Sequence, residues 1–387
     1  MRAALAAVCA VMLSSCTFHP FPANQASQFR AELDRVRVEY GFPGMSAAYV
    51  LSDGTVGTAA SGVADVEAEN PMTENTRMLS ASIGKSFVGA LCISLALEGR
   101  LALDEPVSQW IGTFDWFSRL PNHESITLRH LLTHSSGIPD HVYMASFAEA
   151  FAAAWQNPDN SFSPESTVSF VLDEPALFPA GGGWAYSDTG YILAGLVIEA
   201  VTERPFFEGI QQRFLDPLRL LDTTFADQRD LDRLAAGYLS ADNIFGLPEK
   251  SLDDRGRLHW NPATEWAGGG HISTSRDIAL WGAALFSGEA MAGDYLADLL
   301  MTVEVEPDSA DVSYGAGVAV YTTGPFGPVY GHAGWVPGYV SSLRHYPETG
   351  VTIAFQINTD IGIIDSTDDV LKIIEETLIN VFASREG

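Results

Sequence analysis

One short stretch constrains this chain more than any other: a serine and a lysine three residues apart, directly before an almost wholly apolar segment. Ser82 and Lys85 precede residues 87–95, which read FVGALCISL, and Gly99 follows. Apolar residues on every side predict a buried helix, and residues three apart lie on one helical face. The sequence therefore predicts a core helix that carries a hydroxyl beside an amine at its N-terminus.

This pairing suits nucleophilic catalysis. The first turn of a helix presents free backbone N–H groups that stabilise an alkoxide or oxyanion. A serine hydroxyl needs a neighbouring base, and a lysine serves only where burial favours its neutral form; an arginine cannot serve. The only lysines of the chain are Lys85, Lys250 and Lys372, among many arginines. The alternative is that Ser82 caps the helix and Lys85 is an ordinary polar residue, because so short a pattern also arises by chance.

Composition excludes some functions. The 387 residues have a formal charge of −28, and 47% of them are hydrophobic. This length allows one large α/β unit with an insertion, or two or three average domains. Nucleic-acid binding requires a basic surface and is excluded. The charge also repels anionic substrates wherever the site itself is not positive.

The N-terminus predicts export. Arg2 precedes an apolar run at residues 3–13, which is too short to span a bilayer but has the length of a signal-peptide core. The run ends in Leu-Ser-Ser-Cys at residues 13–16, which resembles a bacterial lipoprotein signal. An ordinary secretory signal cut near Ser15 is the alternative, and either signal exports the protein.

The lipoprotein resemblance implies a processed and anchored chain. Residues 1–15 would be the signal peptide, Cys16 the lipidated N-terminus and residues 16–25 a tether. Thr17 after the cysteine favours the outer membrane, facing the periplasm. Cys92 lies in the predicted core helix, so no disulfide forms in the mature chain unless Cys16 is unmodified.

Secondary-structure signals place most strands at the two ends of the chain. Amphipathic spacing predicts helices at residues 29–40 and 368–381. Residues 126–137 read as a capped helix that ends at Gly137. Strands are predicted at residues 45–51, 55–60, 314–321, 340–346 and 351–358. Strands at both ends predict one sheet built from distant segments. Residues 26–104 and 266–387 would form this sheet domain, and residues 105–265 an inserted helical domain.

Two further stretches offer partners for the serine. A glycine-rich loop at residues 181–183 precedes Tyr186 and Asp188, just before an apolar segment. Later, a predicted strand carries His332, and the small residues that follow it, including Gly334, allow a substrate backbone to approach closely. Each feature alone also fits a packed tyrosine or a hydrogen-bonded strand histidine.

The order S-x-x-K, Y-S-D and H-A-G resembles the serine β-lactamase and penicillin-recognising DD-peptidase superfamily, in its class C-like branch of D-amino-acid peptidases and esterases. The resemblance begins near Phe29, runs to the C-terminus and includes the non-catalytic stretches 101–107, 127–137 and 268–277. It implies an α/β (α+β) fold: an antiparallel sheet flanked by N- and C-terminal helices, a large inserted helical domain, and a catalytic cleft between them.

The resemblance also implies roles for three residues. Ser82 would be the acylated nucleophile, Lys85 its activating neighbour, and Tyr186 the general base that passes the proton to the leaving group. An unperturbed tyrosine has a pKa of ~10, so this role implies a nearby cation, for which Lys85 is the candidate.

The third motif would complete the cleft. His332 and Gly334 would line the substrate site, and the backbone N–H groups of Ser82 and Trp335 would form an oxyanion hole. His332 stands where the β-lactamases usually have lysine, so the positive charge that receives a β-lactam carboxylate is weaker or absent at neutral pH. This departure favours peptidase or esterase chemistry.

A second departure concerns Asp188, which stands where many members have asparagine. A carboxylate there would hold Lys85 in its charged form and raise the pKa of Tyr186. We therefore expect an alkaline-shifted pH optimum.

The sequence thus predicts a serine hydrolase that acts through an acyl-enzyme on an ester, a small amide or a D-amino-acid peptide, with weak activity on β-lactam-like substrates allowed. No cofactor is expected. No G-x-S-x-G elbow occurs, which argues against an α/β-hydrolase. His130 and His134 have metal-ligand spacing on a predicted helix, but no H-E-x-x-H pattern surrounds them, and no metal is expected.

A catalytically idle relative is the alternative from another functional class. Such a protein would bind cell-wall peptides or act as an envelope scaffold. The intact set of Ser82, Lys85 and Tyr186 argues against it, because a binding module does not need all three.

Overall fold

The computed structural model describes residues 23–154, 156–306, 309–324 and 326–383. The predicted signal peptide, the lipidation site Cys16 and most of the predicted tether lie outside these residues and stay predictions. The first helix begins at Ala23, within the predicted tether. In the described ranges, none of the helices has the length and apolar character needed to cross a bilayer.

The helices are α1 (Ala23–Tyr40), α2 (Gly84–Leu97), α3 (Ser108–Ile111), α4 (Leu128–Leu132), α5 (Ala145–Ala154), α6 (Pro164–Val168), α7 (Asp188–Thr202), α8 (Phe206–Ile210), α9 (Asp216–Leu218), α10 (Trp266–Gly269), α11 (Ser275–Ser287), α12 (Leu296–Leu299) and α13 (Val370–Ala383). Short 3₁₀ turns lie at Ala81–Ile83, Phe117–Arg119, His141–Tyr143, Ser169–Val171 and Pro262–Glu265, and a π-helical turn lies at Gln211–Leu215.

The strands are β1 (Gly44–Val50), β2 (Val56–Asp65), β3 (Asn70–Pro71), β4 (Met78–Leu79), β5 (Thr224–Phe225), β6 (His271–Ser273), β7 (Val303–Glu306), β8 (Ser309–Tyr314), β9 (Ala319–Tyr321), β10 (Val329–Val336), β11 (Tyr339–Tyr346) and β12 (Val351–Ile357).

One large antiparallel sheet organises the described residues. Its nine strands have the order β3-β2-β1-β12-β11-β10-β9-β8-β7, and a smaller sheet has the order β4-β6-β5. β1 pairs with β12, with Met45 opposite Ile357, so the two ends of the chain meet near the middle of the large sheet. Every residue of β1, β11 and β12 is buried, as expected for strands covered on both faces. The predicted sheet of distant segments is confirmed.

Helices cover both faces of this sheet. α1 and α13 pack on one face around an apolar cluster that includes Phe29, Leu33, Phe355 and Ile374. α11 lies on the other face, where α2 and α7 extend the core. The predicted arrangement of terminal helices against an antiparallel sheet is therefore confirmed. The division into two domains stays a prediction, and β5 is a strand within the region expected to be helical.

Two predicted elements are wrong in their extent. The helix predicted to end at Gly137 is α4, which ends at Leu132, and His134 beyond it adopts a left-handed backbone with φ of 58°. The single strand predicted at residues 314–321 is two strands, β8 and β9, because a turn at Gly317 with φ of +78° reverses the chain. In both places a residue with positive φ ends the regular element.

The core helix α2 is fixed by α11. Twelve consecutive residues of α2, from its first residue, are buried. Phe87 stacks on Trp281 with ring centroids 4.0 Å apart, and the indole N–H of Trp281 donates to Ser86 Oγ at 2.8 Å. The Ser86 hydroxyl in turn donates to the carbonyl of Ile83 at 2.7 Å. Trp281 therefore anchors the turn that precedes α2, which carries the predicted nucleophile.

We predict that Trp281→Ala lowers the free energy of unfolding by about 3–5 kcal/mol, the usual cost of removing a large buried aromatic side chain. Trp281→Phe is the matched control, because it keeps an aromatic ring and loses only the hydrogen bond and part of the volume; we expect a loss of about 1–3 kcal/mol. Chemical denaturation measures both values. Equal stability of the alanine variant and the wild type would contradict this anchoring role.

Candidate active site

Ser82 and Lys85 meet as predicted. Ser82 lies in the 3₁₀ turn Ala81–Ile83, which directly precedes α2, and Lys85 lies in the first turn of α2. The ammonium of Lys85 donates to Ser82 Oγ at 3.1 Å. The side chain of Lys85 has 0% exposure, so its charge depends wholly on protein acceptors.

Two other segments supply those acceptors. The Lys85 ammonium donates to the Asp188 carboxylate and, at 2.5 Å, to the carbonyl of Gly268. Asp188 begins α7, and Ser187 caps that helix by accepting the N–H of Gly190 at 3.3 Å. Gly268 lies in the short helix α10. A buried charge requires such partners, so α2, α7 and α10 are held together at Lys85.

Tyr186 completes the constellation. Its phenol interacts with the Ser82 side chain, which acts to lower the pKa of the phenol, and the Lys85 ammonium lies 5.0 Å from its ring centroid. Burial, and next the charge of Asp188, raise the pKa of Tyr186 well above its ordinary value. The direction expected from the Asp188 carboxylate is therefore confirmed. The Lys85 ammonium, which Asp188 binds, does not offset these effects. Tyr186 is therefore a neutral phenol at neutral pH.

His332 lies on β10 beside this group. Its Nε2 is 2.6 Å from the hydroxyl of Tyr314, and its Nδ1 contacts the carbonyl of Ala333. An imidazole that donates from Nδ1 to this carbonyl accepts the Tyr314 O–H at Nε2. Burial, and next the charge of Lys85, lower the pKa of His332 to about 3. His332 is therefore neutral at physiological pH and adds no cation to the site.

Gly334 brings β10 against the nucleophile turn. A Cβ at this position would lie 2.3 Å from the carbonyl oxygen of Ser80, so only glycine allows this approach. Next to it, the indole N–H of Trp335 donates to Asp360 at 3.1 Å. β9 pairs with Val329–Gly331 only, so the remaining part of β10 has no strand partner on that side among the described strands.

A cleft of about 420 Å³ joins these groups. It is lined by Ser82, Tyr186 and Asp188 from one side and by β10 residues including His332 and Trp335 from the other. Gly334 also lines it, whereas Lys85 is buried and contacts the lining residues Ser82 and Asp188. The size is typical of a small-molecule site. The structure thus brings together the residues predicted within the chain for catalysis and substrate binding.

Two acidic residues of the cleft were missed. Asp140 and Glu265 line it, and burial, followed by the charge of Asp188, raises their pKa values to about 8 and about 7 respectively. None of the described lining residues is Lys or Arg. Neither acid lies in a recognisable sequence motif. Asp140 follows the turn at Gly137, but a position after a turn does not indicate a chemical role.

The two histidines with metal-ligand spacing have other contacts. His130 Nδ1 accepts the N–H of Thr127 in a capping box at the start of α4. His134 lies beyond α4, so the two histidines do not share a helix. In the part of the chain that the structure describes, no group of three or more His, Cys, Asp or Glu side chains is arranged to hold a metal ion.

The fold and the cluster of Ser82, Lys85 and Tyr186 agree with the family to which the sequence is matched. Residues 25–374 match the family described as Beta-lactamase. The chain belongs to this family, within the β-lactamase/transpeptidase-like superfamily of serine hydrolases.

Similar proteins include a penicillin-binding protein and an esterase. The chain is 24% identical to penicillin-binding protein 4* of Bacillus subtilis (strain 168) over 77% of this chain and 64% of that protein. It is 28% identical to esterase EstB of Burkholderia gladioli over 59% of this chain and 58% of the esterase. The matched region thus spans less than two thirds of the length of either relative.

Solved structures with the same fold cover almost the whole chain. The D-amino acid amidase of Ochrobactrum anthropi SV3, complexed with D-phenylalanine, superposes with a TM-score of 0.78 and 25% identity over 93% of this chain and 99% of the amidase. A D-stereospecific amidohydrolase from Streptomyces sp. gives a TM-score of 0.74 and 27% identity over 87% and 94% of the respective chains.

We predict that Glu265→Gln stabilises the protein at alkaline pH. The pKa of Glu265 is raised from 4.5 to about 7, so ionising it in the folded state opposes folding as the pH rises above 4.5. Removing the charge should raise the free energy of unfolding by up to about 3 kcal/mol at pH 8 and by about 1 kcal/mol at pH 5. Urea denaturation at the two pH values measures this difference. Equal stabilisation at pH 5 and pH 8 would contradict the raised pKa of Glu265. The same substitution at the exposed residue Glu39, Glu39→Gln, is the control.

Proposed function

We propose that this protein is a serine hydrolase that cleaves an ester, a small amide or a D-amino-acid peptide through an acyl-enzyme on Ser82. The observation that carries the proposal is the convergence of two groups, the Lys85 ammonium and the Tyr186 phenol, on one oxygen, Ser82 Oγ. Lys85 Nζ lies 3.1 Å from Ser82 Oγ, and the Tyr186 phenol interacts with the same side chain. A hydroxyl held by an ammonium and a potential base is the arrangement that nucleophilic catalysis requires.

The first half-reaction follows from these positions. Ser82 Oγ attacks the substrate carbonyl carbon, and its proton passes to Tyr186, which accepts it only in the phenolate form. The Lys85 ammonium stabilises the negative charge that develops on Ser82 Oγ. The backbone N–H groups of Ser82 and Trp335 receive the carbonyl oxygen, a contribution of about 2.7–4 kcal/mol for one such donor.

The second half-reaction releases the acyl group. As the carbon–leaving-group bond breaks, Tyr186 returns the proton to the alcohol or amine that departs. Water then attacks the ester carbonyl on Ser82 and gives a proton to the Tyr186 phenolate. As the bond between the carbonyl carbon and Ser82 Oγ breaks, Tyr186 returns that proton to Oγ, and the carboxylic acid leaves. In this scheme one phenol alternates between base and acid, and no metal or redox group takes part.

The chemistry of the cleft supports an uncharged or cationic substrate. Asp140, Asp188 and Glu265 line it, and His332 is neutral, so no described lining residue offers a fixed positive charge to a substrate carboxylate. Such a surface disfavours an anion such as a β-lactam acid. Relatives named as an esterase and as D-amino acid amidases are consistent with this preference.

A substrate panel tests the proposal. We expect wild-type protein to hydrolyse p-nitrophenyl esters or D-alanyl amides faster than the β-lactam nitrocefin, and Ser82→Ala to lose at least about a thousandfold in kcat. Ser94→Ala is the matched control, because Ser94 is a buried serine on α2, the helix that follows Ser82, and it contacts Arg213 rather than the cleft. No hydrolysis by the wild type, with no fluorophosphonate labelling of Ser82, would favour an idle binding protein instead.

We expect the Asp188 carboxylate to determine the pH dependence of kcat/KM. It raises the pKa of Tyr186, so Asp188→Asn should lower that pKa while its amide oxygen still accepts from Lys85. We expect the acidic limb of the kcat/KM profile to move to lower pH, by about one unit or more. Asp173→Asn, in an exposed ion pair with Arg119, is the control. An acidic limb that stays in place would rule out this role.

A further inference from the structure

His134 contacts Tyr186 in a way that no catalytic motif predicts. Its backbone carbonyl accepts the N–H of Ala185 at 3.0 Å. Its side-chain Nδ1 accepts the N–H of Ser187 at 3.1 Å. Ala185 and Ser187 are the two residues that flank Tyr186, so a single residue binds the backbone on both sides of the phenol.

The imidazole also packs on the phenol itself. The ring centroids of His134 and Tyr186 are 4.1 Å apart with a tilt of 35°. Tyr314 and Tyr191 enclose the same imidazole at 4.6 and 5.2 Å, and His134 is 1% exposed. Two hydrogen bonds and one ring contact therefore fix the position and the orientation of Tyr186.

The backbone of His134 is strained to make these contacts. Its φ of 58° lies in the left-handed region, which a side chain with a Cβ adopts at a cost. This conformation ends α4 and turns both the carbonyl and the imidazole of His134 towards the loop that carries Tyr186. Strain that persists at a buried residue beside a reactive group is a feature of functional sites.

The protonation state of His134 suits this contact. A histidine that accepts at Nδ1 carries its proton on Nε2 and is neutral. Burial, and next the charge of Lys85, lower the pKa of His134 well below its ordinary value. Nε2 is buried and has no hydrogen-bond partner among the described residues, so no second polar contact competes for the ring.

We infer that His134 is the positioning residue for Tyr186: it clamps the loop on both sides of the phenol and holds the ring so that its hydroxyl reaches Ser82. The inference rests on the proposed function, in which Tyr186 transfers the proton. It gives His134 no contact with substrate and predicts an effect on the rate of the chemical step rather than on binding.

Three variants distinguish the hydrogen bond of His134 Nδ1 from the packing of its ring on Tyr186. His134→Asn keeps an acceptor close to the position of Nδ1 and tolerates the left-handed backbone. His134→Phe keeps a ring for packing but leaves the Ser187 N–H without its acceptor. His345→Phe is the matched control: His345 is also buried, its Nδ1 contacts Thr352 Oγ1 at 2.8 Å, and its ring stacks on Phe286, away from the cleft.

Steady-state kinetics on a p-nitrophenyl ester, measured where each variant is fully folded, tests the inference. We expect His134→Phe to lower kcat at least tenfold with KM within about threefold, His134→Asn to keep kcat within about threefold of the wild type, and His345→Phe to keep it within about twofold. Wild-type kcat in His134→Phe would overturn the inference. Equal losses in His134→Phe and His345→Phe would also overturn it, because they would reflect a general effect of altering a buried histidine.

A second measurement does not require turnover. Hydrogen exchange of the Ser187 amide should be at least tenfold faster in His134→Phe than in the wild type and close to wild type in His134→Asn. Unchanged exchange in His134→Phe would show that Nδ1 does not hold this loop. If the wild type and Ser82→Ala are equally inactive on every substrate, the proposed function is wrong. The exchange rates would still decide whether His134 Nδ1 holds the Ser187 amide.

Discussion

The structure depends on one buried positive charge. Lys85 has no solvent exposure, and an ammonium without partners in such a place would be strongly destabilising. Its three acceptors are Ser82 Oγ, the Asp188 carboxylate and the Gly268 carbonyl, which come from segments far apart in sequence. The charge is stabilised only when α2, α7 and α10 have come together. Folding and assembly of the site are therefore coupled, and removing one partner of such a buried pair typically costs about 3–5 kcal/mol.

The same interaction sets a limit on the chemistry. The Asp188 carboxylate that stabilises buried Lys85 also raises the pKa of Tyr186, and Asp140 and Glu265 act in the same direction. The phenol is thus a poor base at neutral pH and becomes a better one as the pH rises. A cleft with three acids also carries unfavourable charge in the folded state. Stability and reactivity are opposed in this site, as is common where ionisable groups are enclosed for catalysis.

Local patterns in the sequence predicted much of this arrangement. The apolar run after Lys85 predicted α2, β-forming residues and turn residues predicted β1, β2, β11 and β12, and motif order pointed to Ser82, Lys85, Tyr186 and His332. Contacts that depend on the path of loops were not predictable. Asp140 and Glu265 lie next to ordinary turns, and His134 has its role only because a left-handed residue ends α4 earlier than the sequence indicates. The division of strand β8 from β9 has the same origin, a backbone with positive φ at Gly317.

The proposed mechanism requires Ser82 Oγ to carry the acyl group. Rapid-quench mass spectrometry during turnover of an aryl ester tests it most directly, because an acyl-enzyme adds the mass of the acyl group to one peptide. We predict that this mass appears on the peptide containing Ser82 within the first turnover, disappears as substrate is exhausted, and is absent in Ser82→Ala. Turnover with the acyl mass on any other residue, or with an equally labelled Ser82→Ala protein, would contradict the account.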